Sequence, residues 1–266
     1  MATERVSCSD DPRVADYRAV HDPELARSRG LFVAEGRLVV RRVVEDGRWR
    51  VRSILVSVAA RRDLDDLLGR LPSTVSILVA DAGVFCGITG FNIHRGCLAL
   101  VERPRPVPVN HVIAPAGTIV VLEGATNADN VGGAFRNAAA FGAAGVLLSP
   151  TCCDPLYRKA VRTSMGAVLR VPFATMHDWP GALSELSSEG FTIVAFTPRE
   201  PAQPLDALAG RPSASRLALL FGTEGAGLTP QAEAMADVRV RIPMTDRTDS
   251  LNLAVAAGIA LYALRR

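Results

Sequence analysis

The chain has 266 residues, 48% of them hydrophobic and 21% charged, with a formal net charge of +3. That length exceeds the ~150 residues of a typical domain, so one large or two modest domains are expected, and the composition excludes a disordered or collagen-like chain. The longest near-apolar stretch, Leu253 to Leu264, is shorter than the ~18–20 residues a bilayer span requires. The opening MATERVSCSDDPR carries acidic residues and lacks the apolar core of a secretory signal. Five cysteines (Cys8, Cys86, Cys97, Cys152, Cys153) form no CxxC pair. A disulfide framework and a zinc ribbon are therefore both disfavoured, the vicinal pair Cys152-Cys153 reads as small-residue packing, and a reducing, cytoplasmic compartment is expected. Of 30 basic residues only Lys159 is a lysine. Guanidinium forks suit phosphate oxygens, although a GC-rich genome produces the same bias. Residues 1–105 hold 17 Arg against 14 acids and the remainder is balanced, which permits a nucleic-acid partner.

In chain order, FVAEGRLVVRRVVEDG predicts a helix over about 35–45 that ends at Gly47. VRSILVSV from Val51 reads as a strand, RRDLDDLLGRL as a helix and VSILVA from Val75 as a second strand. GVFCGITG reads as a Gly-rich turn region, and CLALVE from Cys97 as a third strand. RPRPVPVN, with three prolines in five residues, is a stiff linker. It divides a small α/β domain (1–103) from a second domain (118–266), with 104–117 between them.

The second part alternates more regularly. TIVVLEG, GVLLSP, FTIVAFT, LALLFG and VRVRIPM read as strands. GAFRNAAAFG and LSELSSEG read as helices, RKAVRTSMGAV as helical or a turn plus helix, TPQAEAMAD opens with a Thr cap and Pro, and SLNLAVAAGIALYALRR is the final helix. Near-continuous apolar strands alternating with helices predict a parallel sheet covered on both faces.

Several chemistries are excluded by pattern. There is no GxGxxG, no P-loop and no GxSxG elbow, and His21, His94, His111 and His177 are too scattered to form a metal cluster, so no metal is expected. Three polar, glycine-bearing segments remain, each after a strand. In ATNADNVGGAFRNAAAFG, Asn127 and Asn130 precede the helix carrying Arg136; such asparagines often serve only as caps, whereas a guanidinium on a helix of Ala, Phe and Gly needs an anion or a solvent edge. In LALLFGTEGAGLTPQ a buried strand runs into Gly222, Glu224, Gly225 and Gly227, a density that is either a tight loop or a place where a ligand approaches backbone groups. In IPMTDRTDSLNLAVAAG, Ser250 and Asn252 open the last helix.

Together the three segments resemble the motifs of the SpoU/TrmH family of RNA ribose methyltransferases, within the SPOUT superfamily. The matches are Asn130-Val-Gly132-Gly-Ala-Phe-Arg136, then Gly222-Thr-Glu224-Gly-Ala-Gly227-Leu228, then Ile242-Pro243-Met244 with Ser250-Leu251-Asn252. Arg162-Thr-Ser164-Met-Gly166-Ala also resembles a family segment. Through Phe32-Val-Ala-Glu35-Gly36 and His94-Arg95-Gly96, the first hundred residues resemble the substrate-binding domain fused ahead of such enzymes, which is similar to ribosomal proteins that bind RNA kinks.

The resemblance implies an α/β domain whose C-terminal segment threads into a deep trefoil knot. It implies S-adenosylmethionine held mostly by backbone groups, at Gly222, Ile242 and Leu251 with Thr197 and Met244 as further contacts. It also implies attack of a ribose 2′-hydroxyl on the sulfonium methyl, in ribosomal RNA ahead of transfer RNA. Arg136 would anchor the target phosphate or act as base, Asn130 and Glu224 would orient it, and Ser250 and Asn252 would place the nucleotide or the cofactor end. A homodimer would complete the site. Base methylation on the same scaffold, and an idle RNA-binding protein, are the competing readings.

Overall fold

The computed structural model describes residues 3–18, 22–89, 96–209, 216–245 and 247–265. His21 and the His94-Arg95 pair lie outside the described residues. The chain forms two compact units, 1–105 together with 156–166, and 106–155 together with 167–266.

The first unit is built on a five-stranded mixed sheet. Its strands are β1 (Thr3–Val6), β2 (Leu31–Glu35), β3 (Val51–Ser57), β4 (Ser76–Ala80) and β5 (Cys97–Glu102), in the order β1-β4-β3-β5-β2. β1 and β3 run parallel to β4, while β2 and β3 run antiparallel to β5. The helix expected over about 35–45 runs from Arg37 to Asp46 and ends at Gly47 as read; it begins past Glu35 because Leu31 to Glu35, a strand not assigned from the sequence, pair with Glu102 to Leu98 across the sheet. Gly36, at φ 99°, makes the turn between strand and helix, a conformation closed to side-chain-bearing residues. One expectation is corrected in this unit: GVFCGITG is not a turn but lies in the helix Ala82–Thr89. Phe85 and Ile88 of that helix are buried in the core with Val14 and Tyr17, and this tertiary burial outweighs the low helix propensity of Gly83 and Gly87.

The segment 156–166, read from sequence as part of the second domain, belongs to this unit. Its helix Arg158–Thr163 presents Arg162, whose Nη1 donates to Glu35 Oε1 (3.1 Å) and Oε2 (3.0 Å), and Arg158, whose Nε lies 3.5 Å from Oε2. Glu35 is buried. Burial pulls the Arg158 guanidinium below its ordinary pKa, and Glu35 opposes that pull. Many of the remaining arginines of the unit are spent on surface pairs such as Arg13 with Asp11 and Arg41 with Asp66, each contributing little to stability.

The second unit carries a seven-stranded, wholly parallel sheet. β6 (Gly117–Leu122), β7 (Gly145–Leu148), β8 (Phe173–Thr175), β9 (Thr192–Phe196), β10 (Gln203–Pro204), β11 (Arg216–Phe221) and β12 (Val238–Arg241) follow the order β10-β12-β9-β11-β6-β7-β8. β6, β7 and β11 read as unbroken apolar runs because both faces are covered. The sequence did not signal β1, β8 or β10, which are edge strands of two to four residues. β11 sits between β6 and β9 while the chain leaves β6 on its other side for β7. Open α/β sheets bind ligands at such a reversal, beyond the C-terminal strand ends.

Two helices frame that end, Ala128–Ala140 and Leu253–Leu264. They pass close enough that Asn137 Nδ2 donates to the Ala254 carbonyl (2.6 Å), and a Cβ on Gly133 would lie 2.6 Å from Ala254 Cβ. Gly133→Val is expected to push the helices apart and to destabilise the protein by about 1–3 kcal/mol, read as a lowered midpoint in urea unfolding.

Candidate active site

The site assembles where β9, β11 and β12 end. Phe196 and Phe221, register partners on adjacent strands, stack with centroids 4.6 Å apart at 16° and form an apolar floor. Past them the chain opens a pocket walled by Thr197, the loop Gly222–Gly227, and Ile242, Met244, Ser250 and Leu251. Seven of the residues singled out from sequence (Gly222, Ile242, Leu251, Thr197, Met244, Glu224 and Ser250) thus line one cavity. A roomier cavity of about 750 Å³ in the first unit, between Arg5, Arg61, Arg62, Asp65 and Asp81, contains none of the motif residues.

The loop folds back on itself. Thr223 bridges to Gly227, whose N–H donates to the Thr223 carbonyl (3.0 Å), and Gly225 and Gly227 take positive φ. At Gly222 the constraint is steric, since a Cβ there would fall 2.2–2.4 Å from the backbone of Gly227 and Leu228. The far end of the loop is fastened by Glu123, a buried carboxylate at the end of β6 that sequence reasoning missed. It accepts from Trp179 Nε1 (2.6 Å), Thr229 N (2.8 Å) and Thr229 Oγ1 (2.7 Å). An acidic residue closing an apolar strand, TIVVLEG, was the signal available for it.

Asn252 joins the three motifs. Its Oδ1 accepts from Ala254 N (2.9 Å) and Val255 N (3.2 Å), capping the final helix and fixing which way the amide faces. Its Nδ2 then donates to Asn130 Oδ1 (2.7 Å) and Glu224 Oε1 (2.8 Å). Asn130 is buried in the first turn of its helix, which Asn127 rather than Asn130 caps, accepting from Asp129 N (2.9 Å). Ser250 stands before the final helix, at the pocket wall, and does not cap it.

Arg136 is not drawn into this network. It is exposed on the 128–140 helix, and among the described residues it has no hydrogen bond or ion pair within the chain. Also among the described residues, no cluster of three or more His, Cys, Asp or Glu has metal-binding geometry, and no helix is long and apolar enough to cross a membrane.

The model of the SpoU rRNA Methylase family matches residues 117–262. An uncharacterized tRNA/rRNA methyltransferase of Mycobacterium bovis is 41% identical over 262 residues, 97% of this chain and 90% of its own. The 23S rRNA (guanosine(2553)-2′-O)-methyltransferase of Bacillus subtilis is 23% identical over 261 residues, covering 98% and 99% of the two chains. Among solved structures, the AdoMet-bound rRNA methyltransferase of Sinorhizobium meliloti superposes with a TM-score of 0.81 at 26% identity, over 98% of this chain and 97% of that one.

Asn252→Ala removes a helix cap and strands the buried Asn130 carbonyl, so a loss of about 2–3 kcal/mol is expected in urea unfolding. Asn252→Asp keeps the cap but sets a carboxylate against Glu224. Like-charge repulsion, and the two hydrogen bonds that Nδ2 no longer gives to Asn130 and Glu224, should leave this variant less stable than the wild type. Urea unfolding midpoints of the two variants check both outcomes.

Proposed function

Because the chain belongs to the SpoU rRNA methylase family, we propose that it transfers a methyl group from S-adenosylmethionine to a ribose 2′-hydroxyl of RNA, with ribosomal RNA as the substrate class. The observation that carries this reading is the Asn130–Asn252–Glu224 network standing beside a backbone-lined pocket at the C-terminal end of a parallel sheet.

The residues fit the cofactor. The stacked Phe196 and Phe221 give an apolar surface for a flat base. The glycine loop offers backbone groups and no basic side chain, as suits a sulfonium cation without phosphates. Gly222, Ile242 and Leu251 would hold the cofactor through backbone and apolar contacts, with Thr197 and Met244 at the margins. When bound, the cofactor supplies an electrophilic methyl carbon on sulfur.

The remaining chemistry is the protein's. It must bring a ribose oxygen into line with that methyl and accommodate the proton and charge that the oxygen sheds. Arg136 is assigned to the target phosphate and the developing alkoxide, because a guanidinium holds its proton too tightly to act readily as a base. Glu224 and Asn130, oriented by Asn252, and Ser250 at the lip would position the nucleotide. The knotted threading expected of the C-terminal segment belongs to the same proposal.

Arg136 stands apart from this network within one chain, so the reading includes a homodimer in which each protomer lends Arg136 to the other. Two observations support this. Arg136 is exposed and has no partner among the described residues, and the final helix, packed on the Arg136 helix, exposes Val255, Ile259 and Tyr262 at i, i+4 and i+7 as an apolar stripe. The first unit, with its arginine excess, is assigned to RNA binding, and the enzyme to the cytoplasm.

Methyl-labelled S-adenosylmethionine incubated with unmodified ribosomal and transfer RNA pools, followed by digestion to nucleosides, tests the reaction. Label in a 2′-O-methyl nucleoside from ribosomal RNA is expected. Label on a base, or confined to transfer RNA, overturns the corresponding half of the proposal, and no label in any pool favours the idle RNA-binding reading. Arg136→Ala should lose methyl transfer by 100-fold or more (on the order of one preorganised charge-stabilising group) while still binding S-adenosylhomocysteine. Mixing Arg136→Ala with Glu224→Ala protomers should restore part of the activity, because a mixed dimer holds one intact site. Sedimentation should give twice the chain mass, and a monomer with full turnover would refute the shared site.

A further inference from the structure

The glycine loop is also held along its length by a residue that no motif contains. Arg199 lies three residues past the end of β9, and its backbone N–H donates to Oγ1 of Thr197 (3.2 Å), a residue of the pocket wall. Its guanidinium reaches across, Nη2 donating to the Ala226 carbonyl (2.7 Å) and Nη1 to the Leu228 carbonyl (3.1 Å) and to Glu233 Oε1 (3.3 Å). Glu233 is a buried carboxylate, so the guanidinium has a fixed counter-charge behind it. One residue thereby joins Thr197 to the glycine loop, through its backbone N–H on one side and its guanidinium on the other.

Two of its acceptors are backbone carbonyls within or just past a loop that contains Gly222, Gly225 and Gly227. Glycine-rich backbone has unusual freedom to rotate its peptide planes, and a loop that binds by its backbone presents its groups correctly only if those planes are held. Glu123 fastens the loop at Thr229, beyond the turn. Within and just past the turn, the Ala226 and Leu228 carbonyls are held by Arg199. A planar fork meets three acceptors at once, whereas an ammonium on a flexible stem cannot match that geometry.

We infer that Arg199 is a positioning residue for the cofactor, setting the spacing between Thr197 and the glycine loop. Its loss weakens cofactor binding and leaves the methyl-transfer step at saturating cofactor nearly unchanged. The inference rests on the methyl-transfer reading of the pocket.

Calorimetric binding of S-adenosylhomocysteine to the full chain tests it, together with steady-state kinetics. Arg199→Met should raise Kd roughly tenfold, as expected for losing charge-assisted bonds to two carbonyls, with a parallel rise in KM for S-adenosylmethionine. The kcat and the KM for RNA should stay within about twofold of wild type. Arg199→Lys should recover part of the affinity. Since Arg199→Met strands the buried Glu233 charge, Arg199→Met/Glu233→Gln serves as a second variant and should show the same rise in Kd with a cooperative unfolding transition. Wild-type affinity in the double variant, or a fall in kcat at unchanged affinity, would overturn the inference. A wild-type chain that fails to bind S-adenosylhomocysteine would overturn the cofactor reading of the pocket itself, a result distinct from an unaffected variant.

Discussion

A carboxamide has one oxygen that accepts and one nitrogen with two hydrogens to donate, and at Asn252 all of this capacity is committed. The oxygen takes two backbone N–H groups at the start of the final helix, and the nitrogen gives its hydrogens to Asn130 and Glu224. Turning the amide over would set oxygen against two oxygens and N–H against two N–H groups, so the cap and the network enforce each other. Three segments separated by up to 122 residues meet at this one side chain. Glu224 is exposed, and its orientation toward the pocket depends on Asn252.

The sheet explains why the meeting takes place there. Parallel strands end together, and the chain must loop over their C-terminal ends to begin each crossover. Phe196 and Phe221 fill the space directly above β9 and β11, so the loops past them are raised onto an apolar floor. A loop in that position meets two demands, leaving backbone groups free for a ligand while staying ordered without one. Glycine serves the first demand and works against the second. The ion-paired arginine behind the loop and the buried carboxylate at its end supply the order that glycine lacks.

Much of this was legible in the sequence, for physical reasons. Strands buried on both faces announce themselves as apolar runs, and every such run of the second unit became a strand of the parallel sheet. Thr229 and Asn252 are capping residue types at helix starts and they do cap. Periodicity was silent or misleading elsewhere. Leu31–Glu35, an edge strand left unassigned ahead of the helix, is fixed by its pairing with β5. The helix Ala82–Thr89 was hidden by its glycines and is held by the burial of Phe85 and Ile88. Within the site, Asn130 and Glu224 stood out as polar residues close to glycine after a buried strand, and Asn252 as a capping residue type at the start of an apolar helix. Arg199 and Glu123 did not, since their meaning lies in partners about 30 and 106 residues away that no local pattern reveals. Arg136 was legible as a charge on a small-residue helix, and it has the solvent edge that such a charge requires.

The discontinuity of the first unit bears on how such a protein can be taken apart or recombined. A proline-rich linker invites the view that the N-terminal domain is a cassette, added or exchanged at one junction. The compact unit is not a contiguous stretch, because the helix Arg158–Thr163 comes from beyond that junction and supplies the two cations facing the buried Glu35. A fragment cut at the linker would therefore carry a buried carboxylate with neither counter-charge, and a chimera joined there would inherit whatever residues its new partner places at 158 and 162. Glu35 and the two arginines are bound to change together, so the boundary that matters for shuffling lies in their charge complementarity and not in the prolines.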